Sequence, residues 1–268
     1  MFYKMEITTN ITKEHHGLEE LKYLLREFLK SEDGHPKVRE YLSSAIEDKP
    51  LLLAYLQGRK YSVDHAWKTL KRQAEVRFIE YPEVFQESTP DFILPFIRDG
   101  IFGLLKARDQ KGRRIICYNM GKWNPDEISV QKIATAGTFF LDLALREKDS
   151  MISNGLIFIQ NNSGVGMKHV KAYTLPDMLR IWNIYYHAYP VKVKGVYYVN
   201  VPYYCQFIYK IMKPFVTKKF KERLIISTTD KGFEVLHQNV SPTILPKFLG
   251  GVLENEEAFD KELLGLIK

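Results

Sequence analysis

From Ile101 onward the chain alternates short β-branched or aromatic runs with stretches of helical period, and this alternation restricts its fold more than any other feature. Residues 101–105 and 115–120 read as two strands joined through Asp109-Gln110-Lys111-Gly112, a hairpin-like signal because Asp and Gly tolerate a tight reversal. Residues 130–148 follow, with Ile133, Ala136, Phe140, Leu143 and Ala144 along one helical side. The run Gly155-Leu-Ile-Phe-Ile-Gln160 reads as a central strand, residues 175–187 as a helix, residues 191–201 as a strand and residues 224–227 as a short strand. Strands separated by helices need crossover connections, so the expected fold is α/β with a mostly parallel sheet.

Upstream the period is helical throughout. Leu18, Leu21, Leu24, Leu25 and Phe28 recur at helical spacing until Asp33-Gly34-His35-Pro36 interrupts them. Asp48 ahead of Pro50 makes a cap and first-turn proline for the next helix, and Gly58 ends it. A further helix carries Ala66, Trp67, Leu70, Ala74, Val76 and Ile79 up to Pro82. Residues 82–95 hold three prolines and little periodicity, so they read as a boundary. Two domains are therefore expected: a small all-helical one over residues 1–82 and a larger one over 83–268. Phe233 is expected to open a small helix, residues 245–251 to close the domain in turns, and residues 258–267 to form a last helix.

At 268 residues and 45% hydrophobic composition the chain can bury a substantial core. Cys117 and Cys205 lie in apolar strings and read as reduced. The N-terminus lacks the continuous apolar region of a signal peptide, and no run of 18 apolar residues occurs. A cytoplasmic protein with reversible peripheral membrane association is expected.

The positive charge is concentrated. Residues 192–223 carry Lys192, Lys194, Lys210, Lys213, Lys218, Lys219, Lys221 and Arg223 against Glu222 alone, which accounts for the whole net charge of +7. In the same window Tyr204, Phe207, Ile208, Ile211, Met212 and Phe215 recur at spacings of three, one, three, one and three, which suggests one helix face. Pro214 interrupts that helix near its end. An apolar face beside a field that attracts phosphate suits a protein that meets a membrane. Nucleic acid is not an expected partner, because no zinc spacing or Gly-Phe-rich strand motif accompanies the charge.

No catalytic constellation emerges. Asn161-Asn162-Ser163-Gly164-Val165-Gly166 follows the central strand but matches neither G-x-G-x-x-G nor a P-loop, and Ser163 lacks the G-x-S-x-G setting. No histidine pair has H-E-x-x-H spacing. His169 and His187 are the candidate bases if a hydrophobic substrate were turned over, but neither comes with a nucleophile and an orienting group. The chain reads as a non-enzyme, with no metal and no cofactor.

Three ordered motifs resemble the CRAL-TRIO, or Sec14-like, lipid-transfer family, in the animal branch that includes α-tocopherol transfer protein, cellular retinaldehyde-binding protein and the clavesins. The first is Leu51-Leu-Leu-Ala-Tyr-Leu-Gln-Gly-Arg-Lys-Tyr61 followed by Val63-Asp-His-Ala66. Ala54, Gln57 and Gly58 stand where the family pattern has arginine, arginine and alanine. The second runs from Tyr189-Pro190-Val191-Lys192-Val193-Lys194-Gly195 through Val199-Asn200-Val201-Pro202 to Ile211-Met212-Lys213-Pro214-Phe215 and on to Lys219 and Arg223. The third is Leu245-Pro246-Lys247-Phe248-Leu249-Gly250-Gly251, with Phe248 and Leu249 departing from the pattern.

The resemblance implies an N-terminal helical domain and an α/β cage that holds one hydrophobic molecule, such as a retinoid, tocopherol, carotenoid or similar lipid, behind a mobile gate over residues 201–215. It also implies a phosphoinositide-binding patch at Lys192, Lys194, Lys219 and Arg223. The expected pocket draws on Tyr118, Phe139, Phe140, Leu143, Ile159, Ile184, Tyr189, Val191, Phe207, Ile211, Met212 and Phe215. Tyr118, Tyr189, Ser163 and His169 are candidates for one polar anchor. The expected partners are that ligand and an anionic or phosphoinositide-containing membrane, met by a monomer. The alternative is a constitutively lipid-loaded phosphoinositide-binding trafficking or signalling adaptor.

Overall fold

The computed structural model describes residues 2–147 and 151–260. Four helices come first: α1 (Phe2–Lys30), α2 (Pro36–Ala45), α3 (Lys49–Gly58) and α4 (Val63–Glu75). The chain supplies their starts. His35 and Asp48 cap α2 and α3 through side-chain acceptors, each with a proline in the first turn. Leu21, Leu25, Leu42, Leu52, Leu56 and Leu70 converge on a core shared by the four helices. A π-helical turn (Val76–Glu80) then leads to α5 (Pro82–Gln86) and α6 (Pro90–Arg98). The proline-rich segment read as a boundary is thus helical. Pro82 and Pro90 occupy first-turn positions where their missing N–H costs nothing, and Val84, Phe85, Ile93 and Phe96 are buried in the core that covers the sheet.

The sheet has five strands in the order β1 (Phe102–Leu104), β2 (Arg114–Asn119), β3 (Leu156–Asn161), β4 (Val193–Val201) and β5 (Leu224–Thr228). β1 and β2 pair antiparallel across the hairpin, whereas β2 through β5 run parallel. The crossovers hold α7 (Val130–Arg146), then α8 (Met167–Ala172) and α9 (Leu175–Trp182), then α10 (Gln206–Met212) and α11 (Lys218–Lys221). α9 continues as a second π-helical turn (Asn183–His187), so the helix expected over 175–187 is present with a loosened last turn. Past β5 lie short helices at Glu234–His237 and Asn255–Ala258; most of the helix expected over 258–267 lies outside the described residues.

One face of the sheet is sealed. Ile115, Cys117, Ile157, Tyr197 and Val199 pack there against Leu236, Val240, Leu245 and Leu249. The other face is covered by helices and carries the cavity described below.

Several contacts hold the helical region against the sheet domain. Gly58 ends α3 where a Cβ would collide with the carbonyl of Pro190, so only glycine allows this approach. Arg77 meets Asp142 of α7 at 2.6 Å, and the Tyr189 hydroxyl donates to the same carboxylate at 2.7 Å.

Candidate lipid cavity and basic face

Strand periodicity builds the floor of the site. Successive side chains point to opposite faces of a strand, so the even-numbered residues of β2 to β5 share one face. Register brings them into two rows: Ile116, Phe158, Val196 and Leu224, then Tyr118, Gln160, Tyr198 and Ile226. Both rows line a cavity of about 480 Å³, within the range of sites for one small molecule. Ile133, Gly137 and Phe140 of α7 close it on one side, at positions i, i+4 and i+7 of a single stripe. Gly137 is required there, because a Cβ would overlap the Tyr185 hydroxyl, which donates to the Ala134 carbonyl at 2.9 Å.

The lining is mostly apolar, with buried tyrosine hydroxyls, the amides of Gln160 and Asn162, His169 and, at exposed positions, Lys210, Lys213 and Lys221. Burial pushes the hydroxyls of Tyr118, Tyr185, Tyr186 and Tyr209 well above their usual range and that of Tyr198 to about 12. Of the four candidate anchors, Tyr189 is committed to Asp142 and Ser163 does not line the cavity. Tyr118 lines the floor, but its hydroxyl oxygen is itself covered and lies beside the Tyr173 hydroxyl. His169 is engaged at both nitrogens: Nδ1 accepts from the Gly166 N–H at 3.0 Å, so Nε2 donates to the Trp123 carbonyl at 2.9 Å. His187 lies outside this cavity, and its pKa is lowered by partial burial and then by Arg72 and Arg59.

Tyr118, Phe140, Ile159 and Met212 are the expected pocket residues found in the lining, although the Ile159 side chain packs in the core of the sealed face. Phe139, Leu143, Ile184, Tyr189 and Val191 are not there; they are buried in the neighbouring core with Ala54, Val84 and Phe96. On α7 the cause is helical phase, since Phe139 and Leu143 fall on the stripe next to the one that faces the cavity. Val191 precedes β4, whose cavity face belongs to Val196 and Tyr198.

Phe207, Ile211 and Phe215 require the largest correction. They are 48%, 44% and 47% exposed, and Tyr204 and Tyr203 point outward with them. The inner side of α10 is instead Ile208, Tyr209 and Met212, with Tyr209 packed on Tyr198 at 5.4 Å between ring centroids. The helix therefore has two apolar sides where the sequence reading joined them in one face. The Tyr204 hydroxyl donates to the Val165 carbonyl at 2.6 Å and ties the start of the segment to the loop after β3. α10 ends at Met212, and Pro214 sits in the turn before α11.

Beside this segment, Lys192, Lys194, Lys219 and Arg223 form one electrostatic group. The Lys194 pKa is lowered by partial desolvation and then by Arg223, Lys219 and Lys60. That of Lys192 is lowered by desolvation and then by Lys194, Lys60 and Arg59. Arg223 is anchored by donating to the Val193 carbonyl. The sequence reading missed Lys60. Lys60 and Tyr61 have φ of +56° and +60°, a left-handed pair that turns the chain after α3 and places Lys60 within the field of the β4 lysines. The adjacent Arg59-Lys60 pair was its only sequence signal.

A second, shallower hollow lies between α4 and the π-helical turn after α9, lined by Arg59, His65, Lys68, Thr69, Arg72, Asn183 and His187. Its cations are already engaged: Arg59 with Thr69 and the Tyr189 carbonyl, Lys68 with Asp64, and Arg72 with Glu80. Among the described residues, no helix is long and apolar enough to cross a membrane.

Comparison with known proteins agrees with this architecture. The CRAL/TRIO domain profile matches residues 98–251. Alpha-tocopherol transfer protein-like of Mus musculus is 26% identical over 266 residues, covering 94% of this chain and 76% of that protein. Clavesin-1 of Xenopus laevis is 28% identical over 209 residues, covering 77% of this chain and 61% of that protein. The crystal structure of Sfh5 shares the fold, with a TM-score of 0.59 at 14% identity over 95% of each chain. Matched over more than half its length, from the end of α6 to the closing turn, the chain belongs to the CRAL/TRIO domain family, a family of lipid-binding and lipid-transfer proteins.

Proposed function

We propose that this protein binds one small hydrophobic molecule in the sheet cavity and exchanges it with phosphoinositide-containing membranes when residues 201–215 swing away from the sheet. The observation that carries this reading is the two-sided α10. Ile208, Tyr209 and Met212 complete the cavity wall, while Phe207, Ile211 and Phe215 stand exposed beside a basic surface. An apolar outer face flanked by lysines gains by entering an anionic interface. The same movement would withdraw the inner face and open the cavity. The membrane thus acts as a second ligand with a higher affinity for the open state.

Enclosure supplies retention. Burying about 400 Å² of apolar ligand surface at about 25 cal/mol/Å² gives roughly 10 kcal/mol before ordering costs. Such a molecule leaves slowly into water, so release depends on opening at a membrane.

Native mass spectrometry of the purified protein tests the cavity assignment. One co-purifying lipophile per chain is expected, and it should be lost in Val196→Trp, which fills the centre of the floor. Retention of the same molecule in that variant would place the ligand elsewhere; recovery of a chemically converted product would favour an enzyme. Tyr204→Phe removes the bond to Val165 and should speed ligand exit about two- to tenfold, the size of one net hydrogen bond. Stopped-flow release into acceptor vesicles measures it, and an unchanged rate would show that this bond does not restrain the gate.

A further inference from the structure

The single turn of α11 touches both the cavity and the basic face. Its residues, Lys218-Lys219-Phe220-Lys221, include no fully buried one, and Phe220 is its lone apolar side chain. The half-buried Phe220 ring stands edge-on to two aromatic partners, 4.7 Å from Trp182 at 85° and 4.8 Å from Tyr186 at 77° between ring centroids. Trp182 ends α9, Tyr186 lies four residues on in the π-helical turn, and the two rings stack at 4.3 Å. Edge-to-face is a favoured arrangement of such rings, so this seat holds Phe220 by geometry as well as by burial. All three residues line the cavity.

The same turn is tied to the basic face. Lys219 lies close enough to Lys194 to lower its pKa, after the larger effects of desolvation and Arg223. The Arg223 N–H donates to the Phe220 carbonyl at 2.9 Å, and the Arg223 guanidinium donates to the Val193 carbonyl of β4. Consecutive helical residues point about 100° apart, so a rotation of α11 that moves Lys219 also moves Phe220. Pro214 separates α10 from α11, which lets the turn move without unwinding a longer helix.

We propose that α11 is a lever between the basic face and the cavity, with Phe220 as its positioning residue. Seated against Trp182 and Tyr186, the ring holds the downstream end of residues 201–215 closed. A phosphorylated headgroup that gathers Lys219 with the lysines of β4 rotates the turn and takes the ring off its seat, so opening starts at this end. The inference rests on the gate and headgroup reading above and adds the contact that joins them.

The test uses the full chain labelled with fluorotryptophan. Its three tryptophans give three fluorine NMR signals, and Trp182→Phe identifies that of residue 182. Saturation with inositol trisphosphate, followed separately by calorimetry, should move the Trp182 signal towards its position in Phe220→Leu and leave that of Trp67, in the helical core, unchanged. Release of a pyrenedecanol probe gives a second readout. Into phosphatidylcholine vesicles, Phe220→Leu should release it roughly tenfold faster than the unaltered chain, the size of two edge-to-face contacts. Adding phosphatidylinositol bisphosphate to the vesicles should accelerate the unaltered chain by a similar factor and Phe220→Leu hardly at all, while Phe220→Tyr, which keeps the ring, should respond as the unaltered chain does. The ratio of rates with and without the phosphoinositide is decisive, because a general loosening accelerates both alike. An unmoved Trp182 signal at headgroup saturation, or a ratio that survives Phe220→Leu, overturns the lever and leaves the gate and the basic patch standing. Absence of headgroup binding, or of any acceleration in the unaltered chain, would instead remove the phosphoinositide reading itself, and failure of the probe to load would remove the cavity reading.

Discussion

Replacing Lys192, Lys219 and Arg223 together by alanine should slow ligand transfer to phosphoinositide-containing vesicles by roughly a hundredfold, at about 1 kcal/mol for each cation near an anionic surface. Equilibrium ligand affinity should stay near that of the unaltered protein, because none of the three residues lines the cavity. The two effects separate because the patch acts on the encounter with the membrane while the sheet and α7 hold the ligand. Lys194 already depresses the Lys192 pKa, and Arg223 and Lys219 depress that of Lys194, in each case after the larger effect of desolvation. That mutual repulsion is relieved when a phosphorylated headgroup binds, so the response should be steepest for multiply phosphorylated headgroups and should weaken with added salt. Vesicle-transfer kinetics beside a ligand titration check the prediction. Equal losses of binding and transfer would mean that these residues serve the fold or the cavity.

Asp142→Ala should destabilise the protein by about 3 kcal/mol, because it leaves a partly buried guanidinium without its counter-ion. Arg77 and Asp142 are each 21% exposed and meet at 2.6 Å. The Tyr189 hydroxyl donates to the same carboxylate at 2.7 Å, and Arg77 also lies over the Phe85 ring. Arg77 follows α4, Asp142 is on α7, and Tyr189 precedes β4, so one carboxylate joins three parts of the chain. Its loss should therefore loosen the helical region from the sheet domain as well as lower overall stability. Urea unfolding measures the first effect, and hydrogen exchange at Val76–Glu80 measures the second. A change below 0.5 kcal/mol, within the range of ordinary surface substitutions, would show that the pair is replaceable by water.

Much of the fold could be read from local patterns because local physics decides it. Prolines at first-turn positions and capping Asp48 set helix starts, and the Asp109 to Gly112 turn sets the hairpin. Residues 82–95 misled for the same reason: three prolines resemble a linker, yet two of them occupy helix first turns and the third, Pro95, is accommodated within α6. Charge was legible as well, since a count needs no geometry. What remained hidden was phase. On α10 and the turns that flank it, the residues at 204, 207, 211 and 215 and those at 208, 209 and 212 are similarly apolar, and only the position of the sheet determines which set meets Tyr198.

By itself, then, the sequence determined that a helical region precedes a mostly parallel α/β sheet and that the positive charge gathers between the start of β4 and the start of β5. Tertiary structure alone decided that four strands align their even-numbered residues into two cavity rows, and that Phe207 and Ile211 of α10 face outward while Ile208, Tyr209 and Met212 face the cavity. The division has a physical basis. Caps, turns and periodicity are fixed over a few residues, whereas a cavity exists only where distant segments meet and leave space between them.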